Sequence, residues 1–199
     1  MNPKMNPDTL PEGYQELFKV DLLHDRKLML LVNVLGLGIM LAFGLLGHFA
    51  FVRIGSLFDM EQGFGPYILR FAVLLIGYLV YMVLHEAVHG VCMYYFSRVK
   101  PHFGFNGMYA WAGSTSYFRK VPYLIIALAP IVVWGIVLAV LCAVVPTSWF
   151  WVVYFIQLGN LGGAAGDLYV TWRFRSLPED ILVNDTGTDM TVFGPVQHA

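Results

Sequence analysis

Charge is what this chain has least of. Lys, Arg, Asp and Glu make up 13% of its 199 residues, hydrophobic residues make up 58%, and the mean hydropathy is +0.65. A soluble domain carries about 25% charged residues, so lipid must be the solvent for most of this chain. There is no run of Lys and Arg, and the formal net charge is −1. That excludes nucleic acid as a partner, because phosphate binding needs clustered cations. Cysteine is nearly absent too. Cys92 and Cys142 both lie in apolar stretches, where they read as small packed residues and not as a disulfide or a Cys-rich zinc site. The start of the chain, with Pro3, Pro7, Asp8 and Pro11 ahead of any apolar run, lacks the form of a signal peptide. The first apolar run is therefore expected to remain as an anchor. Internal repeats and low-complexity segments are also missing.

What is present is a set of long apolar runs. Crossing the hydrocarbon core takes about 20 mostly apolar residues, and four windows meet that length: Leu28 to Val52, Tyr67 to Phe96, Val121 to Val145 and Trp149 to Trp172. Only Pro146, Thr147 and Ser148 separate the last two, which predicts a tight antiparallel helical hairpin. Pro130 predicts a kink, since it removes a backbone donor and crowds the preceding turn. The expected fold class is an all-α membrane protein of about four transmembrane helices.

Lys and Arg near the span ends set the orientation. Lys19, Arg26 and Lys27 precede the first run, Arg98, Lys100, Arg119 and Lys120 lie between the second and third, and Arg173 and Arg175 follow the fourth. Arg53 and Arg70 stand on the other side. Both termini and the middle connection are thus expected in the cytoplasm, with a prokaryotic plasma membrane the default for so short a chain.

The middle connection carries two aromatic-rich runs, His102 to Phe105 and Met108 to Trp111, around Asn106-Gly107. An Asn-Gly pair between such runs is a hairpin signal, so a small interfacial β-hairpin is expected between helices 2 and 3. An interfacial loop with an aromatic belt is the alternative. Residues 176–199 read as a polar cytoplasmic tail, extended or partly disordered, after an integral-membrane domain over 1–175.

The strongest chemical signal is His85-Glu86-Ala87-Val88-His89. On a helix, positions i and i+4 share a face, so both imidazoles can bind one zinc ion while Glu86 reaches the metal-bound water as general base. An ionisable residue inside a span costs at least about 2.5 kcal/mol by insertion scales. Three polar residues together in apolar helix therefore imply a bound ion, or else a hydrogen-bonded cluster between helices.

Catalytic zinc usually takes three protein ligands and leaves a fourth position open. Asp167 is the only ionisable residue within the fourth run before its end, and both His85 and Asp167 lie about 18 residues into their runs, at similar depth. Asp167 is therefore the expected third ligand. The small residues of Gly159 to Gly166 would let helices approach closely. Asn160, seven residues before Asp167 and on the same face, suits a substrate carbonyl or a tetrahedral oxyanion, with simple packing as the alternative. His102 is a weaker candidate, and His24, His48 and His198 have no partner at ligand spacing.

On these residues the chain resembles the membrane zincin peptidases, small multi-pass proteins related in design to the site-two intramembrane proteases. The resemblance rests on Leu10-Pro11-Glu12-Gly13-Tyr14, the His85-Glu86-x-x-His89 motif, Lys100-Pro101-x-Phe103-Gly104-Phe105, Ala127-Leu128-Ala129-Pro130 and Asn160-x-x-Gly163-x-x-Gly166-Asp167. It implies a Zn2+ site of His85, His89 and Asp167 with Glu86 as base. Site-two proteases carry an Asn-Pro-Asp-Gly-like motif at the third ligand, whereas here no Pro precedes Asp167 and no Gly follows it.

The expected function is zinc-dependent hydrolysis of peptide bonds in a peptide or membrane-protein substrate near the cytoplasmic membrane face. The alternatives are a non-catalytic protein that binds or passes metal or protons, for which the lack of repeats counts against a transporter, and a scaffold that keeps zinc for folding, which would not need Glu86.

Overall fold

The computed structural model describes residues 7, 9–21, 24–105, 107 and 109–196. Its elements in chain order are β1 (Tyr14–Val20), α1 (Arg26–Leu46), α2 (Phe64–Ser97), β2 (His102–Phe105), β3 (Ala110–Gly113), β4 (Tyr117–Arg119), α3 (Lys120–Val144), α4 (Thr147–Gly163), α5 (Ala165–Phe174), β5 (Leu182–Asp185) and β6 (Met190–Pro195). Among the described residues, three helical segments are long and apolar enough to cross a membrane: Arg26–Phe51, Phe64–Ser97 and Lys120–Val144.

Local chemistry accounts for the helix ends. Asp25 caps α1, its carboxylate accepting the Lys27 and Leu28 N–H groups at 3.0 Å, which leaves fewer orphan donors at the membrane entry. The segment after α1 loosens into a π-turn over Gly47–Phe51. The fourth apolar run is not one helix. It breaks at Ala164, so α4 has 17 residues and α5 has ten, and Asp167 falls in the first turn of α5, where the positive helix end favours a carboxylate.

The chain forms two compact units. One takes the described residues of Val32–His85 and Pro130–Gly166. Small residues allow its helices to close up: a Cβ on Gly36 would lie 2.6 Å from the Gly162 carbonyl oxygen, and one on Gly159 would meet the Tyr78 ring. Arg70 is buried, and its guanidinium donates to the backbone carbonyls of Asp59 and Ser148, which ties the far loops together.

The other unit takes the described residues of Met1–Leu31, Glu86–Ala129 and Asp167–Ala199. It holds an antiparallel sheet in the order β1-β6-β5-β4 and the separate hairpin β2-β3. Alternation along β6 sends Met190 and Val192 inward. They meet Phe118 and Val183 from the sheet, Ile181 just before β5, and Met93, Tyr123, Ile126, Val170 and Phe174 from α2, α3 and α5.

The hairpin expected between helices 2 and 3 is present, with His102 opposite Gly113 and Phe105 opposite Ala110. Gly107 has φ +88°, in the left-handed region, while Asn106 of the expected turn lies outside the described residues. The tail differs from the sequence expectation. Leu182–Asp185 and Met190–Pro195 are extended, but as strands bonded to β4 and β1 respectively and joined by a turn. Pairing over so large a sequence separation leaves no local periodicity beyond the short alternation in β6.

Candidate metal centre

Helix α2 carries His85, Glu86 and His89 on consecutive turns, with no Gly or Pro between them to break the ladder. His85 and His89 project from one face, as the i, i+4 spacing requires. Asp167 comes from the first turn of α5. Each of the three offers a ligand atom, and these atoms lie within 4.8 Å of one another. The His89 Nε2 is 3.8 Å from the Asp167 carboxylate.

Hydrogen bonds decide which ring nitrogen of each histidine is available. His89 Nδ1 lies 2.9 Å from the carbonyl oxygen of Ile126 in α3. A carbonyl only accepts, so Nδ1 carries the proton and Nε2 keeps its lone pair. His85 Nδ1 lies 2.8 Å from the Tyr81 hydroxyl, which itself donates at 3.0 Å to Asn160 Oδ1. That hydroxyl has one proton, so His85 Nδ1 donates to the Tyr81 oxygen and the ring's lone pair lies on Nε2.

The donor set fits zinc. Two neutral imidazoles and one carboxylate leave room for a fourth ligand, as catalytic zinc sites do, and bond lengths near 2.1 Å imply ligand–ligand separations of about 3.4 Å. The observed spacing needs only a small contraction to reach that. Outer partners on both histidine Nδ1 atoms are the usual companions of such ligands.

Around these residues stand further polar groups. Glu86 is partly buried, and its carboxylate is hydrogen-bonded by the backbone of Ala112 in β3. The Asp185 carboxylate, from β5, accepts from the Tyr123 hydroxyl at 2.6 Å and from the Gly187 N–H at 2.9 Å. Burial pushes the Asp185 carboxyl above its usual range, against the pull of those two bonds. Asn160 is fully buried. Beyond Tyr81, its amide donates to the Ile131 carbonyl at 3.2 Å and to Gln157 at 3.4 Å, so both ends are engaged inside the helices.

The other histidines have partners of their own. His24 pairs with Asp21, His48 accepts the Ile54 N–H, and the His102 ring stands edge-on to Trp111. His198 lies outside the described residues. Tyr81, the Ile126 carbonyl and Asp185 had not been picked out from the sequence. Tyr81 was legible there, since it stands four residues before His85 on the same face. Asp185 had no local signal.

A family model described as putative zincin peptidase matches residues 78–182, more than half of the chain. No curated protein and no solved structure matches it. The matched stretch runs from just before Tyr81 to the first residue of β5.

Proposed function

The chain belongs to the family of putative zincin peptidases, and from that membership we propose that it is a zinc-dependent integral-membrane metalloprotease acting near the cytoplasmic face of the membrane. The observation that carries the proposal is the convergence of ligand atoms from His85, His89 and Asp167 within 4.8 Å, with Glu86 the next residue on the same helix. His85, His89 and Asp167 would hold the zinc, which would supply Lewis-acid polarisation of the scissile carbonyl and acidify water. Glu86 then takes the proton of the attacking water and delivers it to the leaving amine nitrogen. Tyr81 and Asn160 hold His85 with its proton on Nδ1, and we assign Asn160 this positioning role in place of direct contact with the oxyanion.

Substrate would add as an extended strand beside the hairpin. Two features support this. The sheet β2-β3 has two strands, and Ala112 of β3 bonds the base itself. Phe103 and Phe105 on β2 are 55% and 65% exposed, which offers apolar contacts to an unwound membrane segment. An α-helical substrate must lose its own hydrogen bonds before its peptide bond can be attacked, and pairing with a strand would replace them.

Elemental analysis of the purified protein tests the proposal directly. About one zinc per chain is expected in the wild type and in Glu86→Gln, with loss in His85→Ala and Asp167→Ala; only the wild type should cleave a peptide substrate. Zinc retained in both ligand variants, or a well-folded wild type without metal, would overturn it.

A further inference from the structure

We propose that Pro130 is a positioning residue of the metal centre: having no N–H, it leaves the Ile126 carbonyl free to hold His89 with its proton on Nδ1 and its Nε2 lone pair toward Asp167. The inference rests on the zinc reading above and concerns how one of its ligands is prepared.

In an α-helix the N–H of residue i bonds the carbonyl of residue i−4. Helix α3 runs without interruption from Lys120 to Val144, with Pro130 inside it, so the donor missing at 130 is the one that would have served Ile126. The proline ring also presses on that same carbonyl and turns it outward. Ile126 is 1% exposed, and in the hydrocarbon region no water would make up for the lost bond. His89 Nδ1 occupies that place at 2.9 Å. The orphan carbonyl and the histidine satisfy each other, and because the carbonyl cannot donate, the ring is locked in the tautomer that ligates through Nε2.

The alternative tautomer would aim the Nδ1 lone pair at the carbonyl oxygen and place a proton on the nitrogen that lies 3.8 Å from Asp167. The first is unfavourable at 2.9 Å and outweighs the weaker attraction of the second across 3.8 Å, so the helix defect favours the ligating form before metal arrives. A proline kept only for its bend would need no partner at Ile126. The fully buried Pro130 is here paired with one specific acceptor and one specific ring.

Two changes at position 130 of the full chain separate the missing N–H from the ring. Pro130→Ala restores the donor. Replacing Pro130 by lactic acid, the ester counterpart of alanine, gives the same methyl side chain with no N–H. On metal-free protein with 15N-labelled histidine rings, and the His89 signals assigned from His89→Ala, the wild type and the ester should show His89 protonated at Nδ1. Pro130→Ala should show a shift toward Nε2–H. Zinc affinity by chelator competition should fall about tenfold or more in Pro130→Ala and return to near wild type in the ester. If Pro130→Ala fails to fold, an ester variant with native tautomer and affinity supports the proposal by itself. A wild-type tautomer in Pro130→Ala, or an ester that behaves like it, overturns the proposal. The tautomer is read without metal, so its outcome stands apart from whether the wild type binds zinc.

Discussion

The Tyr81 hydroxyl lies 2.8 Å from His85 Nδ1, one helical turn away, and gives its own proton to Asn160. Histidine, phenol and amide thus form one directed chain that ends on the Ile131 carbonyl. Removing any link should act on the metal affinity through the orientation of His85. Tyr81→Phe is expected to weaken zinc binding about tenfold or more while leaving the helices intact. Asn160→Ala should do the same, and the double variant should cost little more than either single change, because the two residues serve one function. Chelator competition on the three variants measures this, and full additivity would argue that they act separately.

Loss of the base should affect turnover and not metal. Glu86→Gln keeps the shape of the side chain but cannot accept a proton, so kcat should fall by roughly 10²–10⁴-fold, the usual contribution of a positioned general base, with zinc content unchanged. A variant that keeps most of its activity would remove Glu86 from the reaction.

Helix packing offers a matched pair of substitutions on α1. A methyl at Gly36 would run into the Gly162 carbonyl, whereas one at Gly38 meets nothing within 4 Å. Gly36→Ala should therefore destabilise the protein by about 1–3 kcal/mol, the usual penalty for overpacking. Gly38→Ala should be neutral or slightly stabilising, since alanine is the better helix former. Unfolding in detergent, followed by circular dichroism, compares the two; equal stability would mean that α1 and α4 do not approach closely at Gly36.

The link from β1 to the last hairpin should respond to acid. Lys19 pairs with Asp189 at 2.6 Å. Its hydrogen bond, followed by that of Thr186, holds the Asp189 carboxyl below the usual carboxylate range, and the same pair raises Lys19. A depressed carboxyl favours the folded state above its unfolded pKa, and that contribution is lost as the pH falls from about 4 through the folded value. The raised amine contributes at neutral pH and is lost only in strongly alkaline solution. Amide hydrogen exchange in β1 and β6, corrected for intrinsic rates, should therefore quicken below about pH 4 in the wild type. Lys19→Ala should flatten that dependence, and identical profiles would show the pair to be incidental.

Part of this architecture could be read along the chain. Apolar runs of about 20 residues predicted membrane helices, and Arg26–Phe51, Phe64–Ser97 and Lys120–Val144 are long and apolar enough to be such spans. Aromatic runs around Asn106-Gly107 predicted the β2-β3 hairpin. The break at Ala164 was not legible, because Gly159 to Gly166 suits close helix packing as well as it suits a helix end. The sheet was missed for a different reason: β1 pairs with β6 and β4 with β5, and contacts between distant strands leave no local pattern.

By itself the sequence determined that this chain is built for lipid and that two histidines one turn apart, with a glutamate beside the first, share one helix. Both follow from local physics, the transfer of apolar side chains and the 3.6-residue period. Only the tertiary structure decided where the protons of those histidines reside. That depends on Tyr81 meeting Asn160 across 79 residues and on His89 finding the one carbonyl left free by Pro130, and a hydrogen bond between distant elements has no signature until the helices that carry its two ends are packed.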